Sequence, residues 1–206
     1  MIGVARSSNY LSTANEPTLL VEFDGSSLTG WTQTGTAMTV DNSIGNPLPS
    51  FKGTDRGMRR DLGTTFHNTT ITYDFRPATS FDGGFSFANT SAGSGTFRAG
   101  VQTKQGTSVA GQGLRFGSNG GWLYFGVGGS ETLSVFPTAN IWYSIKIRIT
   151  SAGVCTWFVD EVQQSSTVTL SASYTTANTT NNYYGFILNG PTTVYFDNLK
   201  IYRGIF

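Results

Sequence analysis

The stretch Ile141-Trp142-Tyr143-Ser144-Ile145-Lys146-Ile147-Arg148-Ile149-Thr150-Ser151-Ala152-Gly153-Val154-Cys155-Thr156-Trp157-Phe158-Val159-Asp160-Glu161 decides the fold. Ile141, Tyr143, Ile145, Ile147 and Ile149 alternate with Trp142, Ser144, Lys146, Arg148 and Thr150. Successive strand side chains point to opposite faces, so the alternation predicts a strand with one buried and one wetted face. Ser151-Ala152-Gly153 supplies a turn, and residues 154–161 form a second extended run rich in β-formers. Such a hairpin, in a chain with no sustained helical period, predicts an all-β antiparallel β-sandwich.

Working outward, residues 18–23 read as a first strand closed by a turn at Asp24-Gly25, and residues 36–41 as a second. Pro47 and Pro49 exclude a central strand from their loop, and residues 53–63 read as a charged loop. Residues 70–76 alternate, with Ile71, Tyr73 and Phe75 on one face. Further strands are predicted at 83–88, 96–104, 113–116, 122–127 and 132–136, and a final two at 183–188 and 193–202. The chain has 26 glycines, and short strands separated by glycine turns are the pattern of a sandwich or jelly roll. Residues 1–17 form a polar extended N-terminal arm, and residues 18–206 a single domain without internal repeat.

The last strand carries a break in parity. Val194 and Phe196 share one face, whereas Leu199 and Ile201 have the opposite parity. A β-bulge at Asp197-Asn198 would return both pairs to the core. The alternative is a regular strand with Asp197 turned inward and hydrogen-bonded. Either reading makes Asp197 the carboxylate held in a fixed place.

Composition narrows the partners. The formal net charge is +1 and only 12% of residues are charged, which argues against nucleic acid, since that needs a clustered basic footprint. Arg59-Arg60, between Asp55 and Asp61, reads as an ordinary surface loop. A single cysteine, Cys155, excludes an intrachain disulfide and reads as a small buried apolar side chain. No apolar run reaches membrane-spanning length, and the amino terminus lacks the apolar core of a secretory leader. The expectation is a protein made in a host cytoplasm and used without secretion, or a mature fragment whose leader has gone.

Catalytic patterns are weak. Two-carboxylate glycan hydrolysis needs paired acids roughly 5 Å apart for retention. The 12 acidic residues include no Glu-x-Asp-x-Glu strand, and Asp160 and Glu161, adjacent on a strand, would point apart. The only histidine, His67, reads as a solvated loop residue, and one cysteine with one histidine disfavours zinc. No enzyme is expected. A structural Ca2+ would be served by Asp24, Asp197 and Asn198, because a jelly roll often brings its two ends together and hard cations take oxygen ligands. The competing reading is that Asp24 makes an Asx turn and Asp197 fixes the bulge.

For binding, residues 122–127 are the informative run. Leu123, Phe125 and Val127 share one face; Trp122 and Tyr124 share the other, followed by Gly126 and Gly128. Aromatic side chains beside bare backbone make a flat shelf suited to a sugar ring, with Trp142 as a further stacking candidate. The same shelf suits a neighbouring subunit, or burial between the sheets.

Phe23-Asp24-Gly25-Ser26-Ser27-Leu28-Thr29-Gly30-Trp31 resembles the opening of concanavalin A-like lectin/glucanase domains, the LamG-like group. Trp142-Tyr143-Ser144-Ile145-Lys146-Ile147 with Trp157-Phe158-Val159-Asp160-Glu161 resembles the group's recurring hairpin, with Glu161 where glycine is usual. Tyr195-Phe196-Asp197-Asn198-Leu199-Lys200-Ile201 resembles its closing strand. The resemblance implies two packed, curved antiparallel sheets in a jelly roll. With the polar opening Ala5-Arg6-Ser7-Ser8-Asn9-Tyr10-Leu11-Ser12, the chain looks most like LamG-like proteins encoded by tailed bacteriophages. That resemblance implies a non-catalytic virion structural protein, either capsid decoration (cement) or tail-associated, located on the virion surface and with weak glycan adhesion. Other virion proteins would be engaged through the arm, in a homo-oligomer with a trimer among the options, and neither nucleic acid nor membrane would be a partner. A free carbohydrate-binding lectin and a glycan hydrolase or lyase of the same fold stand as alternatives.

Overall fold

The extended stretches assemble into fourteen strands among the described residues, which are 16–34, 38–53, 56–78, 83–89, 113–119, 122–127, 137–169, 182–188 and 193–206 of this computed structural model. The first half of the chain contributes β1 (Thr18–Phe23), β2 (Thr32–Thr34), β3 (Met38–Asp41), β4 (Ser50–Gly53), β5 (Arg56–Asp61), β6 (Thr69–Pro77) and β7 (Gly83–Asn89). The second half contributes β8 (Gly113–Asn119), β9 (Trp122–Val127), β10 (Tyr143–Ile149), β11 (Val154–Val159), β12 (Val162–Thr169), β13 (Asn182–Leu188) and β14 (Val194–Arg203). The arm before residue 16 and the strands expected at 96–104 and 132–136 lie outside the described residues.

All pairings are antiparallel, and no helix occurs among the described residues. One sheet has eight strands in the order β12-β11-β10-β6-β14-β4-β3, with β1 beside the second half of β14. The other has six, in the order β2-β5-β13-β7-β8-β9. The result is the expected all-β sandwich of the jelly-roll type. Between the sheets lies an aromatic core centred on Phe186, whose ring is 4.1 Å from Phe196, 5.5 Å from Phe85 and 5.7 Å from Tyr73. Aromatic pairs at such separations contribute about 0.5–1.5 kcal/mol each beyond area burial.

The deciding hairpin forms as its alternation predicts. β10 pairs with β11 from Ile145↔Val159 to Ile149↔Cys155, and Ile145, Ile147, Ile149, Cys155 and Trp157 are buried. Ile141 departs from the expected series. It precedes the strand and is 50% exposed, while its N–H closes a turn onto the Thr138 carbonyl. The buried side of the series begins instead near Tyr143, whose ring stacks on Phe75 at 5.3 Å. The second run also ends earlier than expected. Asp160 and Glu161 form a two-residue turn into β12, with φ of 48° and 64°. Both positive values match the hairpin turn whose twist suits right-twisted strands. Asp160 Oδ1 accepts the Ser144 N–H at 2.8 Å, and the Glu161 carboxylate meets the Lys146 ammonium.

The parity break resolves as a bulge. Asp197 pairs with Asp74, but Lys200 pairs with Thr72, so β14 holds one extra residue there. Asn198 takes it up at φ 51°, and Phe196, Leu199 and Ile201 are all buried in the core. Residues 53–63 differ from the expected loop: they contain β5, which lies inside the six-stranded sheet between β2 and β13. Its sequence Arg-Gly-Met-Arg-Arg-Asp sends one large apolar side chain, Met58, into the core, too little to register as alternation. Finally, β13 and β14 are consecutive yet belong to different sheets, so the chain crosses the sandwich between them.

Candidate functional site

Register fixes which residues face away from the core on the six-stranded sheet. Met58, Phe186 and Phe85 are buried in the core and lie in one cross-strand row, which continues to Phe116 and Phe125. Because strand positions alternate, the flanking rows belong to the opposite face. One such row reads Thr32, Arg59, Gly185, Ser86, Arg115, Gly126; the other reads Thr34, Gly57, Ile187, Gly84, Gly117, Tyr124. Trp122, paired with Asn119, has the same parity.

The strand positions of Trp122 and Tyr124 fall on the same side of the sheet as those of Gly57, Gly84, Gly117, Gly126 and Gly185, of which Gly57, Gly84 and Gly185 are buried. The side chains of β8 and β9, those of Trp122 and Tyr124 included, lie outside the described residues. Two of these glycines are required by the backbone. Gly84 has φ 148°, which side chains rarely adopt, and a Cβ on Gly185 would sit 2.0 Å from the Met58 carbonyl oxygen.

Arg59 is the residue on this face that sequence reasoning misplaced. It is 9% exposed, not a surface-loop side chain, and its guanidinium lies 4.3 Å from the Tyr183 ring. Its Nε and Nη1 are buried with no hydrogen-bond partner. Arg60, its neighbour in sequence, turns to the opposite side and covers the Phe23 ring at 5.0 Å.

A second cluster gathers around the bulge on the eight-stranded sheet. Asp197 Oδ2 accepts the Asn46 N–H at 2.7 Å and Oδ1 accepts the Asn198 N–H at 2.7 Å. Asn198 Nδ2 donates to Asp74 Oδ2 at 2.8 Å and to the Asn46 carbonyl, while Asn46 Nδ2 reaches the same Asp74 oxygen at 3.3 Å. Burial pushes both carboxyls above the usual range, and the charges of Asp74 and Asp24 add to the rise at Asp197. Asp24 itself holds the Ser26 N–H at 2.9 Å, an Asx turn, and hydrogen bonding from Ser26 lowers its pKa. Of the three residues expected to share a calcium ion, Asp197 and Asn198 are thus joined to Asp74 and Asn46, with Asp24 close enough to be felt electrostatically. Among the described residues no group of three or more His, Cys, Asp or Glu side chains is placed to hold a metal ion.

The other expected residues stand apart. Trp142 is half-buried immediately before β10 of the eight-stranded sheet, so it does not share a sheet with Trp122 and Tyr124. His67 is half-buried rather than fully solvated, and its Nδ1 meets the Thr65 hydroxyl. Its loop is pinned by Arg203, whose guanidinium donates to Thr64 Oγ1 at 3.0 Å, the Thr65 carbonyl at 2.9 Å, Thr69 Oγ1 at 3.1 Å and the His67 carbonyl.

No family model matches the chain, and no curated sequence relative does. Solved structures do. A carbohydrate esterase from Shiga toxin-encoding bacteriophage phi24B superposes with a TM-score of 0.60 at 12% identity, over 92% of this chain and 100% of that one. The cellulose induced protein Cip1 matches with a TM-score of 0.58 at 14% identity, over 90% and 100%. A Bacillus subtilis protein of unknown function with a galectin-like fold matches with a TM-score of 0.56 at 11% identity, over 90% and 96%. At these identities the likeness is one of fold.

Proposed function

We propose that this chain is a non-catalytic β-sandwich of a bacteriophage particle that holds glycan on the outward face of its six-stranded sheet. One observation carries the reading: the register sets the aromatic positions Trp122 and Tyr124 beside the glycine positions Gly117 and Gly126. A sugar ring stacks on aromatic faces and needs a floor without side chains to lie close to backbone. The fold likeness to a phage protein with carbohydrate chemistry supports the setting. Most of the described carboxylates are occupied in turns, the bulge or ion pairs, which supports a binding role over hydrolysis. Calcium has no part in this reading, because amide N–H groups already face the oxygens of Asp74 and Asp197.

In the particle, residues 1–17 would lie against another virion protein. The domain would sit on the virion surface as a homo-oligomer. A glycan array with the full chain should give binding that Trp122→Ala and Tyr124→Ala each weaken at unchanged melting temperature. Release of new reducing ends from mixed polysaccharides, or absence of glycan binding, would overturn the reading. Mass photometry of the full chain against a form beginning at Thr18 tests the arm: a monomer in both that binds no capsid or tail protein refutes that assignment.

A further inference from the structure

We infer that the cleft along the open edge of β1 receives the N-terminal arm, residues 1–15, of a second copy of this chain as an added strand. The inference rests on the arm's assignment above, names its partner and place, and is independent of the glycan reading.

Both walls of the cleft are strand edges. Its volume is about 310 Å³, and it is lined by residues 20–23 of β1 on one side and by Arg60, Asp61 and Leu62 on the other. Successive strand side chains point to opposite faces, so four consecutive residues share one wall only through their backbone edge. Among the described residues that edge is unpaired, since β1 bonds to β14 alone. The facing edge is open as well, because β2 pairs with β5 no further than Arg59. The two sheets thus leave a slot between them, and the Arg60 guanidinium reaches across it to the Phe23 ring at 5.0 Å. An open backbone edge is a template for a further extended segment.

The sequence of β1 favours such pairing. Proteins ordinarily guard an open edge with charge or proline. β1 reads Thr-Leu-Leu-Val-Glu-Phe, and its one charge, Glu22, is engaged by Lys200 at 2.9 Å. A register shift between Leu19 and Val21 leaves Leu19 45% and Leu20 37% exposed. β12, at the far end of the same sheet, is instead polar along Gln163-Gln164-Ser165-Ser166.

The arm suits the slot in composition and reach. Residues 1–15 hold no proline and one charged side chain, Arg6, so they can join a ladder without losing donors or burying many charges. Extended, they span up to roughly 50 Å, against about 20 Å for the six residues of β1. The arm of the same chain is badly placed to enter. A Cβ on Gly204 would meet Pro17 at 3.2 Å, so Pro17 continues the line of the Thr18↔Arg203 pair. Glu16 lines a separate cleft beside Asn68 and Ile205. Pro17 also biases Glu16 toward extended backbone, which opposes the tight reversal that would bring the arm back along β1. The arm therefore leads away from its own slot and toward a neighbour's.

The test is sedimentation velocity of the full chain at micromolar concentration, with and without a synthetic peptide of residues 1–15. The chain should associate, and the peptide should dissociate it where a scrambled peptide does not. Leu20→Lys should weaken association roughly tenfold or more with an unchanged circular dichroism spectrum, because the side chain is already exposed and a lysine guards the edge. Cysteines locate the contact, since the native Cys155 is buried and does not compete. Chains carrying Leu20→Cys, mixed with chains carrying Ser8→Cys, Tyr10→Cys or Ser12→Cys, should form a disulfide between the two in at least one pairing. A full chain that stays monomeric overturns the inference; if that monomer binds a capsid or tail protein through its arm, the wider assignment of the arm survives. Association unmoved by both the peptide and Leu20→Lys also overturns it. So does a chain carrying both cysteines that closes on itself at monomer mass, which would return the slot to its own arm.

Discussion

Asp74 on β6 and Asp197 on β14 stand directly opposite one another in the register of the eight-stranded sheet. Like charges so placed are unfavourable, and this pair is reconciled by the amides of Asn46 and Asn198. The bulge makes the arrangement possible, because it turns Asn198 sideways into the gap between the two carboxylates.

The pair gives a pH signature of unusual sign. Burial raises both pKa values, so between the ordinary carboxylate value and the raised ones the native state binds more protons than the unfolded state. Their combined effect therefore favours folding as pH falls through that window and weakens it as pH rises. Asp74→Asn should increase stability at pH 7 by on the order of 0.5–1 kcal/mol, the scale of an opposed like-charge pair. The gain should shrink toward pH 4. Urea midpoints of both proteins at several pH values measure it, and a pH-independent difference contradicts it.

Asn198 should be hard to replace. Alanine there loses two side-chain hydrogen bonds and keeps a left-handed backbone at φ 51°, for a destabilisation of about 2–4 kcal/mol. Asn198→Gly accommodates the backbone and should recover roughly 1 kcal/mol of that loss. Equal denaturation midpoints for the two variants would remove the backbone from this account.

The turn at Asp160-Glu161 predicts an asymmetry between neighbours. Glu161 lies at φ 64° and makes only an exposed ion pair with Lys146. Glu161→Gly should stabilise by up to about 1 kcal/mol, since left-handed strain exceeds the value of such a pair. Asp160→Ala should instead destabilise by about 1 kcal/mol or more, because the backbone keeps its φ of 48° while the Ser144 N–H loses its acceptor. Thermal melts of the two variants check the opposite signs.

Cys155 is fully buried on β11, between Ile149 and Val168 in the register, and burial pushes its thiol pKa far up. Native protein at pH 8 should resist alkylation, and labelling should begin only with denaturant and follow the global unfolding curve. Rapid labelling without denaturant would mean that this hairpin opens on its own.

The fold was legible wherever parity was local. The 141–161 hairpin and the bulge could be read because both leave a pattern within a few residues. β5 could not, since only Met58 among its large side chains seeks the core, and β12 could not, since Val-Gln-Gln-Ser-Ser-Thr-Val-Thr at a sheet edge shows little alternation. Of the candidate site, the sequence offered the aromatic and glycine positions of the 122–127 run; which glycines of other strands share their side of the sheet is decided by pairing. Asp74 and Arg203 were missed for a related reason. Asp74 lies 124 residues from Asn198, and Arg203 lies 139 from Thr64, so no spacing in the chain announces either contact.

The crossing from β13 to β14 bears on how the protein is made. β13 separates β5 from β7, and β14 separates β6 from β4 and β1, so each layer is completed by a strand synthesised after all the others. A ribosome-tethered chain that stops short of residue 182 has two sheets without their middles, and its unpaired rims invite mispairing with sister chains. Closure of this domain therefore waits on its last two strands, and both layers can zip shut only once β13 and β14 have been made.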